Sequence, residues 1–86
     1  MDDYEIVFTR SARKELEALD AVLVRRIFSK IERLATNPRP SGSTKLVGEE
    51  YLWRIRIGDY RVIYSIDDPG REVNIIVVRH RREAYN

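Results

Sequence analysis

Eighty-six residues, 43% hydrophobic and 35% charged, are enough for one small hydrophobic core and have the balance of a globular protein rather than a disordered one. The chain has no cysteine and one histidine, which excludes disulfide staples, thiolate metal sites and a His-based metal cluster, so no cofactor is implied. Net charge is only +2, but residues 51–86 hold seven arginines, no lysine and five acids, against nine basic and nine acidic side chains in residues 1–50.

At the N-terminus, MDDYEIVF lacks the basic and apolar regions of a signal peptide, and no apolar run approaches the roughly 18 residues of a membrane span. A soluble, cytoplasmic protein is expected. Tyr4 to Phe8 reads as a short first strand. Thr9 or Ser11 can cap a helix over roughly 11–19, where Ala12, Leu16 and Leu19 recur at helical spacing. Asp20 can cap a longer helix to about Thr36, with Val24, Ile27, Phe28, Ile31 and Leu34 on one face and Arg25, Arg26, Lys30, Glu32 and Arg33 on the other. Asn37-Pro38-Arg39-Pro40 ends it, because proline disfavours helix at the residue before it. Pro38 to Glu50 then reads as one long loop. Its Ser41-Gly42-Ser43-Thr44-Lys45 does not match GxxxxGK[ST] and follows no strand, so it is not a nucleotide loop.

Leu52 to Tyr64, LWRIRIGDYRVIY, is the strongest local signal. Two β-rich runs meet at Gly58-Asp59, and glycine first in a two-residue loop suits a type II′ turn. That turn pairs Ile57 with Tyr60, Arg56 with Arg61, Ile55 with Val62 and Trp53 with Tyr64. Side chains alternate along a strand, so one face carries Trp53, Ile55, Ile57, Tyr60, Val62 and Tyr64, and the other Arg54, Arg56 and Arg61. Like charges directly across a strand pair are destabilising, so three arginines there suggest a surface for an anion, with solvated surface arginines as the plainer alternative.

A turn at Asp67-Asp68-Pro69-Gly70 leads to a last strand, Glu72 to Val78, and a basic ending, RHRREAYN. If Pro69-Gly70 is a strict two-residue loop, Arg79 falls opposite Tyr60 on the core side. A one-residue bulge near the turn would move it to the arginine face. The order β-α-α-β-β-β gives an α+β protein with two N-terminal helices on one face of a small antiparallel sheet and the other face open.

This layout, the segment KLVGEEYLWRIRIGDYRVIY (Lys45 to Tyr64) and the ending RHRREAY (Arg79 to Tyr85) resemble the RelE/ParE superfamily of bacterial toxins, and most of all RelE-type mRNA interferases. The resemblance spans essentially the whole chain and implies one RelE-like toxin domain over 1–86. It implies a toxin of a type II toxin–antitoxin system that cuts mRNA on the ribosome without a metal and is silenced by a cognate antitoxin. The family's working residues fall on Arg56, Arg61, Arg79 and Tyr85 as the catalytic set, with Arg54, Arg81 and Lys45 binding RNA. Arg61 and Arg79 would hold the scissile phosphate, and Tyr85 would stack on a nucleotide. Better-known relatives carry lysine at the positions of Arg54 and Arg56; arginine, with a pKa above about 12, is a poor general base. His80 and Glu83 are titratable side chains near this ending. The same fold also serves ParE-like toxins that inhibit DNA gyrase without cutting, or a degenerate member that only binds its partner or RNA.

Overall fold

Local signals set both helices. Thr9 accepts a hydrogen bond from the Ala12 amide and Asp20 from the Leu23 amide, satisfying amide groups that the first helical turn leaves open. The computed structural model describes residues 3–80 and residue 82. Within them the order is β1 (Glu5–Phe8), α1 (Arg10–Glu17), α2 (Ala21–Arg33), β2 (Thr44–Lys45), β3 (Leu52–Ile57), β4 (Tyr60–Asp67) and β5 (Glu72–His80). Helix α2 stops at Arg33, short of the expected Thr36: Asn37 precedes Pro38, and the Thr36 and Asn37 amides turn back to the Arg33 carbonyl. Among the described residues no helix is long and apolar enough to cross a membrane.

The strands form one sheet in the order β1-β5-β4-β3-β2. Two features depart from the sequence reading. β1 runs parallel to β5, from Glu5 opposite Glu72 to Phe8 opposite Ile75, so the sheet is mixed rather than antiparallel. The long loop also contains a two-residue strand, β2, which pairs Thr44 with Arg54 and Lys45 with Trp53.

The central hairpin has the expected register: Ile57 pairs with Tyr60, Arg56 with Arg61, Ile55 with Val62 and Trp53 with Tyr64. Gly58 has φ +59° and Asp59 is not among the positive-φ residues, as a type II′ turn requires. Beneath the helices lies a core of Ala12, Leu16, Ile27, Ile31 and Leu34 against Ile55, Ile57, Val62, Tyr64, Val73, Ile75 and Val78. Trp53 and Tyr60 pack at its edge. Phe28 is the partial exception on the apolar stripe of α2, 40% exposed and stacked on Phe8.

β4 and β5 begin in the register of a plain hairpin, Asp67 opposite Glu72 and Tyr64 opposite Ile75. The pairing then shifts so that Ile63 faces Val77 and Arg61 faces Arg79. Ile76 is the extra residue. The bulge therefore lies in mid-strand rather than near the turn, and it moves Arg79 to the arginine face. The turn itself is longer than Pro69-Gly70: Asp67 accepts from the Gly70 amide, and Arg71, not glycine, takes the left-handed φ of 55°.

Polar contacts centred on two side chains, Tyr64 and Asp68, tie the loops to this frame. Tyr64, fully buried, donates its hydroxyl to the Pro38 carbonyl at 2.7 Å, and burial pushes the phenol up to about 12. Asp68 receives a two-pronged contact from Arg39, at 3.3 and 2.8 Å, and the Tyr4 hydroxyl at 2.5 Å. Arg39 also lies over the Trp53 ring and Arg71 over the Tyr4 ring, within cation–π range.

Tyr64→Phe leaves the buried Pro38 carbonyl without its donor, and denaturant unfolding should register a loss of about 1–3 kcal/mol. The hydrogen bonds from Arg39 and then Tyr4 hold the Asp68 carboxyl down at about 2, below its ordinary 3.8. A depressed carboxyl stabilises the fold above the unfolded value, and that contribution fades as pH falls through the folded one. Asp68→Asn should thus be less stable than the parent at pH 6, with the gap closing between pH 4 and pH 2 in paired melting curves. Because Asp68 is half exposed, added salt should shrink the gap.

Candidate functional site

Parity along three strands builds the site. Helices cover the face bearing Ile55, Val62 and Val78, so the opposite face carries Arg56 of β3, Arg61 of β4 and Arg79 of β5 in one cross-strand row. Directly opposed residues sit about 5 Å apart at Cα, so the three arginine Cα atoms lie side by side over about 10 Å. One step along the same face come Arg54, Ile63 and Val77. At the far end the row is acidic, with Asp67 opposite Glu72 and Glu72 opposite Glu5. The open face is therefore polar in charge, with arginines at one end and carboxylates at the other.

Arg61, in the middle of the row, is 7% exposed, whereas Arg56 and Arg79 are exposed. A buried cation beside two others favours an anion nearby, which offsets both the desolvation and the repulsion. Arg79 is anchored from outside the row: its Nε donates to Glu15 Oε2 of α1 at 2.6 Å. Arg56 looks two ways. It belongs to the row and also lines a groove of about 460 Å³ with Lys30 and Arg33 of α2 and with Pro40, Ser41 and Ile55. The basic face of α2 thereby joins the arginine row around the edge of β3.

Four of the residues named from sequence, Arg54, Arg56, Arg61 and Arg79, are brought to one face. Lys45 is not. Its pairing with Trp53 gives it the opposite parity, and it lines a separate cavity of about 590 Å³ with Arg39, Tyr51, Trp53 and Asp68. Tyr85, Arg81 and Glu83 lie outside the described residues. His80 pairs with Tyr60 and meets its ring edge-on at 5.3 Å, on the parity opposite to the arginines, and its Nδ1 accepts from the Arg82 amide. Two residues went unnoticed in the sequence. Glu15 reads there as one more surface acid on a helix, and Arg39 as part of a helix stop between two prolines. Neither carries a local signal, because the groups they meet are 64 and 29 residues away.

Among the described residues no group of three or more His, Asp or Glu side chains is placed to hold a metal ion. Cationic side chains supply the charge at this site.

The chain matches the family described as the ParE toxin of type II toxin–antitoxin systems over residues 6–85. It is 34% identical to a curated relative, Toxin RelE of Mycobacterium tuberculosis, with 95% of this chain and 86% of the relative covered. Its fold is similar to that of the archaeal RelE–RelB complex of Pyrococcus horikoshii, at a TM-score of 0.81, 30% identity and coverage of 92% and 96% of the two chains. The isolated RelE toxin of E. coli is similar too, at 0.80 and 27% identity, with 95% and 90% covered. With its fold, its open basic face and these relatives in agreement, the chain belongs to the ParE toxin family of type II toxin–antitoxin systems, within the RelE/ParE superfamily and of the RelE type.

Proposed function

We propose that this toxin is a ribosome-dependent mRNA endonuclease, an mRNA interferase that arrests translation without a metal, and that a cognate antitoxin silences it. The observation that carries the reading is the row Arg56–Arg61–Arg79, with its central arginine buried on an open sheet face. RelE relatives and RelE–RelB complexes among the similar proteins support the same reading.

In the reaction the RNA 2′-oxygen attacks the neighbouring phosphorus and the bond to the 5′-oxygen breaks. The products are a 2′,3′-cyclic phosphate and a 5′-hydroxyl. The 2′-proton must leave, the 5′-oxygen must gain one, and negative charge grows on the non-bridging oxygens between the two events. Arg61 and Arg79 clamp those oxygens. Arg56, beside them, biases the 2′-hydroxyl toward its anion by charge alone, since a guanidinium does not give up its proton near neutrality. The rate then comes from charge stabilisation and in-line positioning rather than from a strong side-chain base. Tyr85 stacks on a nucleotide to hold that geometry. Arg54 and Arg81 bind flanking phosphates. Lys45, at the β2 edge with the other parity, reaches only RNA that bends around that edge. The antitoxin is a protein whose acidic segment covers the arginine row.

The match to a ParE family keeps one competing function in play, gyrase inhibition without cleavage. It makes no use of converging arginines. Induction of the chain in cells lacking an antitoxin, followed by mapping of new mRNA 5′ ends, separates the two. Cuts phased with the ribosome are expected, weakened about 10²- to 10³-fold in Arg61→Ala by analogy with loss of one oxyanion donor. Intact mRNA accompanied by DNA-damage signalling would sink the nuclease. His80→Phe, which keeps a ring against Tyr60, should cut within about threefold of the parent, because an acid–base role contributes typically 10²-fold or more.

A further inference from the structure

β1 accompanies β5 only as far as Ile75. Beyond the bulge at Ile76 no strand among the described residues pairs with the outer edge of β5, and α1 runs alongside it. Thr9 marks the handover, its amide donating to the Ile75 carbonyl and its hydroxyl to the Ile76 carbonyl at 3.4 Å. Glu15, in the second turn of α1, then takes the place of the missing ladder. Its Oε1 accepts from the Val78 amide at 3.0 Å and its Oε2 from Arg79 Nε at 2.6 Å.

We infer that Glu15 is a positioning residue for Arg79: one carboxylate, fixed by a backbone amide of β5, fixes in turn the plane of the guanidinium next along the chain. This rests on the nuclease reading above. Glu15 is itself only partly exposed, at 24%, and the bond to Val78 holds it whether or not Arg79 is present. Contact through Nε constrains the rotation of a long side chain that is otherwise 47% exposed and costly in rotamer entropy to order. It also directs the guanidinium's far edge away from α1. A negative charge on the flank of the row further offsets the repulsion between Arg79 and Arg61 without occupying the place of the phosphate between them. Glutamine cannot do the same, since its single carbonyl oxygen can serve Val78 or Arg79 while its amide nitrogen opposes another donor.

A double-mutant cycle tests this with single-turnover cleavage of mRNA on programmed ribosomes, using the parent, Glu15→Ala, Arg79→Ala and the double variant. Glu15→Ala is expected to slow cleavage about tenfold or more with ribosome affinity unchanged, and the double variant to be no slower than Arg79→Ala alone. Glu15→Gln should fall between parent and Glu15→Ala; it also serves as the readout if the alanine variant does not fold, and thermal melts separate lost stability from lost rate. Multiplicative losses, an unchanged rate, or a faster Glu15→Ala, as an inhibitory ion pair would give, overturn the assignment. If the parent cuts nothing, the nuclease reading fails by itself. The Arg79 Nε–H resonance then decides about Glu15: a signal protected from exchange in the parent and lost in Glu15→Gln supports the positioning, and one that does not change refutes it.

Discussion

The bulge at Ile76 is the constraint on which both faces of the sheet depend. Ile75 and Val78 are three residues apart, so a regular strand would send them to opposite faces, yet both are buried in the same core. Burying each of two such side chains is worth about 1.5–3 kcal/mol, whereas one irregular ladder position forgoes a hydrogen bond worth about 0.5–1.5 kcal/mol net. Packing wins, and the strand slips by one residue. The same slip takes Arg79 out of the parity of Ile75 and sets it opposite Arg61. A demand of the core thus completes the basic row on the other side of the sheet.

That row is built against its own electrostatics. Arg56, Arg61 and Arg79 are direct cross-strand neighbours, and the acids at the far end of the face, Asp67, Glu72 and Glu5, repeat the conflict with the sign reversed. Like charges opposed across strands weaken a sheet by a few tenths to about 1 kcal/mol per pair. The hairpin tolerates this because Ile55, Ile57, Val62 and Tyr64 are locked into the core beneath it. Glu15 offsets the positive end from the side, using an acceptor that also closes the exposed edge of β5. An edge strand left bare is a liability in most sheets; here its cover doubles as the anchor of a guanidinium.

The long segment between α2 and β3 is held by contacts that bypass secondary structure. Tyr64 reaches it from the core at Pro38, and Asp68 reaches it from the β4–β5 turn through Arg39, while Tyr4 draws the start of the chain to the same carboxylate. Three distant parts of the chain therefore meet on one side chain. Lys45 follows from this arrangement. With the loop pinned on the helix side near Trp53, the short strand β2 meets β3 in a register that turns Lys45 away from the arginine face.

Much of this was legible in the sequence because it depends on nearest neighbours. A cap at Thr9 or Ser11, another at Asp20, the Gly58-Asp59 turn and the alternation through LWRIRIGDYRVIY fix the helices, the hairpin register and the side on which Arg54, Arg56 and Arg61 must lie. Each rests on a hydrogen bond or a turn only a few residues long. The partner of β1, the pairing of Thr44-Lys45 and the place of the bulge involve groups far apart in the chain, and Ile6-Val7-Phe8 or Val73 to Val78 would read the same in several pairings. The sequence leaves Arg79 open between the core side and the arginine face, and the bulge it allows lies near the turn rather than at Ile76. Only the packed core, by requiring Ile75 and Val78 on one side, decided that, and with it the third arginine and its contact with Glu15.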